Sequence, residues 1–159
     1  MNEKERILKT FSEEHATTVK VMKAYPADKL DFKSHERSFT TRELMMRFIG
    51  EQIMMVKLPK GGFEVPKESI QESKLNMNEI LDSFEKGYAE VFKVLESAPA
   101  SDFEGKKTLF FGRDMNLADA CWIIIKDQIH HRGQLSVYVR SAGGKVPSIY
   151  GPSADDPGM

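Results

Sequence analysis

Asp127 and His131 are the residues whose types and spacing most directly indicate chemistry. They are four positions apart, so in a helix both side chains lie on one face. Ala120, Ile124 and Tyr138 continue that face, which predicts that it points into the protein. A carboxylate and an imidazole at this spacing can bind one metal ion together, or they can hydrogen-bond to each other. Spacing alone favours the second, structural interpretation.

Arg47 and Glu51 form a second pair with the same spacing, on a different predicted helix. An Arg and a Glu at i and i+4 are typical of a solvated ion pair, which stabilises a helix by only a few tenths of a kcal/mol. They could also line a cavity, but the sequence favours the solvated pair. His15 follows Phe11 by four residues on an apolar stripe, where a histidine is more typical of a core than of a ligand set.

Composition narrows the classes of protein. The chain has 159 residues, one cysteine and four histidines, which excludes a cysteine-rich zinc site. The net charge of -1, without a basic block, argues against a nucleic-acid partner. No apolar run approaches the roughly 20 residues of a membrane span. We therefore expect a single cytoplasmic domain over residues 1–159, with no membrane partner and with Cys121 as a buried, inert thiol.

Prolines and helix-start signals predict four helices, and therefore an all-α protein of the four-helix-bundle class. An apolar stripe from Ile7 to Met22 predicts the first helix. The second is predicted to begin at Thr40, the third near Asn76 and the fourth near Asn116, each with an acidic residue at the capping-box position. Gly61, Gly62 and Pro66 predict a loop, residues 107–111 a short extended segment, and Gly143 and Gly144 the end of the last helix. The tail beyond is predicted to be irregular, with Tyr150 as an anchor.

Two segments carry a resemblance to a known family. The segment HHRGQLSVYVRSAGGKVPSIYGPSADD, residues 130–156, resembles the C-terminal signature of the DinB (YfiT-like) superfamily. The loop LDFKSHERSFTTRELMM, residues 30–46, is similar to that family's entry into its second helix. The resemblance implies a four-helix bundle with up-down-down-up topology, commonly dimeric. It also implies a relationship to thiol-dependent S-transferases and isomerases.

The resemblance further implies a divalent metal, often zinc or nickel, on three histidines. One comes from the second helix and two come from a pattern like H-x-x-x-H-R-G-Q. His131 is the final histidine of that pattern, but Asp127 and Arg47 stand at the other two ligand positions. An arginine stays protonated and has no acceptor, so it cannot bind a metal. We hypothesise that the Arg47 guanidinium takes the metal's place and bridges to Asp127, with His131 and Glu51 nearby.

Three functions remain open. The first is a small-molecule-binding or structural homodimer without the metal centre and without a cofactor. The second is a metal-dependent thiol transferase with altered ligands, in which His131, Asp127 and Glu51, with His15, hold zinc or nickel. The third is metal-independent catalysis, with His131 as general base oriented by Asp127 and Arg47 binding an anionic substrate group. The sequence favours the first and names no substrate.

Overall fold

Helix-start signals mark the helix boundaries in a computed structural model of the chain, which describes residues 1–63 and 74–158. Thr40 and Glu43 form a reciprocal capping box at the start of the second helix, and Asn76 and Glu79 do the same for the third. The predicted loop residue Pro66 lies outside the described residues. The fourth predicted start at Asn116 is also correct, but the Asn116 side chain accepts a hydrogen bond from Lys107 instead of capping the helix.

The described residues are mostly helical and also contain a small sheet. The helices are α1 (Glu3–Lys23), α2 (Thr41–Lys57), α3 (Met77–Ser97), the short α4 (Ala100–Gly105) and α5 (Leu117–Ser141). Short 3-10 helices span Ala27–Lys29 and Leu58–Lys60. The strands are β1 (Gly62–Phe63), β2 (Lys107–Phe110) and β3 (Arg113–Asn116). None of the helices described here is both long and apolar enough to cross a membrane.

The sheet refines the all-α prediction. Strand β2 matches the extended segment predicted at 107–111; it pairs antiparallel with β3 and parallel with β1. Phe63 and Phe110 lie side by side in this register and their rings are 5.6 Å apart. The sheet therefore adds its apolar face to one end of the helical core.

Contacts between the long helices show which of them run in the same direction. Trp122 of α5 donates a hydrogen bond to Glu3 of α1, and Arg132 lies beside Glu14 further along both helices. These two helices are therefore parallel. Helix α2 runs against α5, because Tyr138, near the end of α5, donates a hydrogen bond to the Phe39 carbonyl just before α2 begins. This antiparallel arrangement brings the middle of α2 against the middle of α5.

The apolar core consists of two separate clusters. The first cluster includes Ile7, Phe11, Met55, Leu58, Phe63, Val91, Leu95, Phe103, Phe110, Leu117, Cys121, Ile124 and Ile125. The second cluster includes Val19, Met22, Tyr25, Leu44, Phe48, Ile49, Met77, Ile80, Phe84, Leu135, Tyr138 and Val139. Each long helix contributes to both clusters. Gly143, with a φ of 88°, ends α5 in the left-handed conformation that glycine adopts readily.

Candidate functional site

The two predicted pairs of polar residues face each other across the α2–α5 contact. Arg47 and Glu51 lie one turn apart on α2, and Asp127 and His131 lie one turn apart on α5. Glu51, Asp127 and His131 fall in the gap between the two apolar clusters, and Arg47 lies one turn before Glu51. The α5 face that the sequence predicts to point inward therefore does so, and it meets the α2 pair that the sequence favoured as solvated.

Nε2 of His131 is the atom on which the site converges. The Nε–H of Arg47 donates to it over 3.1 Å. An oxygen of Glu51 lies 3.2 Å from the same nitrogen, and an oxygen of Asp127 lies 3.5 Å from it. One ring nitrogen cannot accept a hydrogen bond from Arg47 and donate one to a carboxylate at the same time. The site therefore has two alternative hydrogen-bonding states, set by the protonation of His131.

The partner of the second ring nitrogen determines which neutral tautomer His131 adopts. Nδ1 lies 3.2 Å from the Oε1 of Gln134, which can only accept a hydrogen bond. In the neutral ring, Nδ1 therefore carries the proton and Nε2 presents its lone pair to Arg47. In the charged ring both nitrogens carry protons. Nε2 then cannot accept a hydrogen bond from Arg47, and it donates one to a carboxylate instead.

Burial sets the electrostatics of the Glu51 carboxyl. Glu51 is only 3% exposed, and burial raises its pKa to about 7, against the lowering effects of His131 and Arg47. Neither of its oxygens has a partner with good hydrogen-bond geometry among the described residues. The solvated Arg47–Glu51 pair expected from the sequence is therefore wrong, because Glu51 is inside the protein. Its contact raises the pKa of His131, partly offset by the burial of the ring.

Arg47 and Asp127 do not form the ion pair that we hypothesised. No such pair is found within 4.0 Å among the described residues, and the Asp127 side chain remains 47% exposed. The Arg47 guanidinium instead lies over the ring of Phe39, 5.0 Å from its centroid. Arg47 thus hydrogen-bonds to the histidine of the site and does not pair with Asp127.

Three side chains of the site have the types that bind divalent metals. One ligand atom each from Glu51, Asp127 and His131 lies within 4.8 Å of the other two. Nitrogen and oxygen donors suit zinc, nickel or manganese. The three-histidine centre implied by the resemblance does not fit these residues, because Arg47 and Asp127 stand at two of the implied ligand positions. The oxygen-rich set fits by type, but its one nitrogen ligand already accepts a hydrogen bond from a permanent cation.

His15 does not join this set of ligand atoms. Its ring is buried between α1 and α3, where Nε2 lies 2.9 Å from an oxygen of Glu85. The ring stacks on Tyr88 with 4.0 Å between centroids, and it lies 4.6 Å from the ring of Phe84. Burial lowers the pKa of His15, although Glu85 opposes that effect. His15 is thus the core histidine that its apolar stripe indicates.

The remaining candidate residues stay outside the site. His35 and His130 are exposed. Cys121 is buried, and burial raises the pKa of its thiol to about 12, so it carries no thiolate near neutral pH. Its predicted inertness agrees with this environment.

Sequence reasoning missed the role of Arg132. This side chain is almost fully buried on α5 and lies 2.6 Å from an oxygen of Glu14 on α1. The Tyr150 hydroxyl donates to the same carboxylate over 2.6 Å, and the Tyr150 ring covers the Arg132 guanidinium. Tyr150 is therefore the anchor predicted for the tail. The sequence does contain the partner of Arg132, Glu14 on α1, but the two residues are 118 positions apart, so no local pattern connects them.

A family model for the DinB family matches residues 1–158 of the chain. The chain belongs to the DinB family. Two crystal structures of DinB-like proteins have the same fold. A protein from Bacillus cereus ATCC 10987 superposes with a TM-score of 0.79 and 23% identity, over 92% of this chain and 97% of its own. YjoA from Bacillus subtilis superposes with a TM-score of 0.70 and 16% identity, over 88% of this chain and 94% of its own.

One curated relative matches over a shorter stretch. The uncharacterized protein YrdA of Bacillus subtilis strain 168 is 43% identical over 47 residues. That stretch is 30% of this chain and 28% of YrdA. The comparisons thus support the family and the fold, and they assign no activity.

Proposed function

We propose that this DinB-family protein is a small-molecule-binding protein in which Arg47 replaces the family's metal centre. The 3.1 Å hydrogen bond from Arg47 to Nε2 of His131 is the observation that carries the proposal. It directs a permanent positive charge at the one nitrogen that a metal would need. A second cation at the same place would meet direct charge repulsion. The Arg47 guanidinium therefore takes the role that a metal cation would have in joining α2 to His131 on α5.

The free part of the guanidinium supports a small anionic ligand. Nε of Arg47 is used by His131, but in the described residues no acceptor lies within hydrogen-bond distance of the two terminal nitrogens. Arg47 is only half-buried, so these donors remain accessible. A planar guanidinium binds a carboxylate or phosphate through two parallel hydrogen bonds. A small carboxylate or phosphate is therefore the ligand class that suits this end of the site.

Metal content and ligand binding test the proposal together. We expect purified, tag-free protein to contain no stoichiometric zinc, nickel or manganese by elemental analysis. The double variant R47H/D127H should gain zinc or nickel, and adding His131→Ala to it should abolish that gain. Acetate, succinate and inorganic phosphate should raise the Tm of the wild type but not of R47Q. Stoichiometric metal in the wild type would overturn the proposal.

A second candidate is a divalent-metal-dependent, thiol S-transferase-like enzyme with altered ligands. The set of Glu51, Asp127 and His131 favours it, as do the two buried Glu51 oxygens without hydrogen-bond partners. These three residues would hold zinc or nickel, which lowers the pKa of a bound thiol or water. Arg47 would have to release His131 first. A low-molecular-weight thiol that stabilises the protein only when zinc is present would support this candidate.

We also propose that the chain is a single domain with the family's up-down-down-up bundle, and that it forms a homodimer. The parallel contacts of α1 with α5 and the antiparallel contacts of α2 with α5 support the topology. The exposed apolar side chains of Ile53, Ile123 and Val137 on α2 and α5 support association of two copies. Sedimentation equilibrium tests the dimer: the wild type should have twice the monomer mass, and Val137→Glu should weaken it.

A further inference from the structure

A polar layer crosses the middle of the helical core and separates its two apolar clusters. On α1 the clusters end at Phe11 and resume at Val19, and on α2 they end at Ile49 and resume at Met55. The same break falls between Phe84 and Val91 on α3, and between Ile125 and Leu135 on α5. The buried polar side chains in this break that lack at least one partner are His15, Glu51, Gln52 and Gln128.

Ring contacts place His15 and His131 at one level of the protein. His15 of α1 contacts Phe84 of α3, and Phe84 contacts Phe48 of α2, with ring centroids 4.6 Å and 5.9 Å apart. Phe48 in turn lies 6.2 Å from the ring of His131 on α5. Gln128 is one turn before His131 on the same helix. A short path therefore links the His15 side of the core to the His131 side.

The polar layer carries a heavy desolvation cost unless something bonds to it. Within the described residues, no partner with good hydrogen-bond geometry is found for Nδ1 of His15, either oxygen of Glu51, either amide atom of Gln52, or Nε2 of Gln128. An unsatisfied buried polar atom costs about 1–3 kcal/mol, and native proteins leave few such atoms together. Six such atoms in one layer would therefore make a dry core costly.

Gly87 shows how tightly Gln52 fits into the layer. A Cβ at position 87 would lie 2.2 Å from Oε1 of Gln52, so the Gln52 amide packs directly on the backbone of α3. Gln52 is fully buried there. Rotation of the amide toward solvent therefore cannot satisfy its hydrogen bonds.

We infer that the polar layer is an internal binding site for ordered water, held by His15, Gln52 and Gln128 and reaching the Glu51 carboxyl. A buried water makes about three hydrogen bonds to groups of this kind. Two amide groups, a carboxyl and an imidazole nitrogen supply both donors and acceptors, which suits a neutral molecule that can donate and accept. The water would give Glu51 hydrogen bonds from inside the core, independently of Arg47 and His131.

Water contacts of the glutamine amides test this inference on the intact wild-type chain. In a ¹⁵N-labelled sample we expect cross-relaxation between water and the side-chain NH₂ groups of Gln52 and Gln128, with the sign of long-lived bound water. The exposed Gln134 amide serves as control and should show only the weak effect of surface water. The absence of long-lived contacts at both buried amides would overturn the inference.

Gln128→Met provides the second measurement. In a dry layer this change removes an unsatisfied group, so the variant should melt at a higher temperature than the wild type. In a hydrated layer it should melt at a lower temperature, and the water contact at Gln52 should disappear because the waters form one network. A higher Tm together with an unchanged water contact at Gln52 would contradict the inference. If the variant does not fold, the water contacts measured in the wild type decide.

Discussion

The Nε–H of Arg47 and the Nε2 of His131 form a hydrogen bond of 3.1 Å between α2 and α5. This bond joins Arg47, which stands where the sequence resemblance implies a histidine ligand, to His131, the one histidine that fits the implied pattern. It gives the arginine a defined partner and the histidine a defined tautomer. The chemistry of the site therefore depends on which proton His131 carries.

Arg47→Gln should raise the pKa of His131. The guanidinium donates to the lone pair of the neutral ring and repels the charged ring, so its removal favours protonation. The measurement is a titration of the His131 ring signals by NMR, in the wild type and in R47Q. Arg140→Gln is the control, because that arginine pairs with Asp155 outside the site. An unchanged or lower pKa in R47Q would contradict the hydrogen bond.

Glu51→Gln should stabilise the protein more at pH 8 than at pH 5. The folded-state pKa of Glu51 is raised from 4.5 to about 7, so its favourable contribution is complete below 4.5 and is lost as the pH rises through about 7. The raised pKa of His131 acts with the same sign. At pH 8 the wild type thus carries a buried carboxylate that costs about 3 kcal/mol.

Urea denaturation at both pH values measures this difference. The exposed Glu13→Gln variant is the control and should show no change with pH. If Glu51→Gln destabilised the protein most at pH 8, the attraction between the Glu51 carboxylate and His131 would outweigh the cost of burying that carboxylate, which contradicts the raised pKa of Glu51.

Glu14→Ala should destabilise the protein by about 3 kcal/mol, because it leaves the buried Arg132 without its carboxylate. The neighbouring Glu13→Ala is a matched control on the same helix. Glu13 pairs with Lys9 in solvent, so its loss should cost less than about 1 kcal/mol. Equal effects of the two variants, measured by thermal unfolding, would show that the Arg132 network does not hold the tail and α1 together.

His15→Ala should cost about 2–4 kcal/mol, since it removes a buried ring that stacks on Tyr88. Glu85→Gln should cost less than about 1 kcal/mol, because the Glu85 side chain is 51% exposed. Chemical denaturation of both variants tests these values. A loss in Glu85→Gln as large as that in His15→Ala would mean that the pair behaves as a buried ion pair.

Local signals in the sequence predicted much of the fold. Capping residues at Thr40 and Asn76 are read within one turn, and the i, i+4 spacing of Asp127 and His131 defines a helix face without knowledge of the partner helix. The small sheet was harder to predict, because β1 and β2 are two and four residues long and lie far apart in the chain.

The sequence predicted which residues form the site, but it did not predict which of them contact each other. An Arg and a Glu one turn apart look solvated in any single sequence, and only the packing of α5 against α2 buries Glu51. Whether Arg47 bonds to Asp127 or His131 depends on side-chain rotation across two helices, which spacing does not encode. Gln52 was missed because a single glutamine in an amphipathic helix carries no signal of burial.

The tautomer of His131 is the most direct test of the account. A long-range ¹H–¹⁵N correlation spectrum, recorded at a pH above the measured titration of His131, identifies which nitrogen of the neutral ring carries the proton. We predict a proton on Nδ1 and an unprotonated, hydrogen-bond-accepting Nε2, with no change when one equivalent of Zn²⁺ is added. A proton on Nε2, or a shift of Nε2 to the range of a metal-bound nitrogen upon adding Zn²⁺, would contradict the claim that Arg47 replaces the metal.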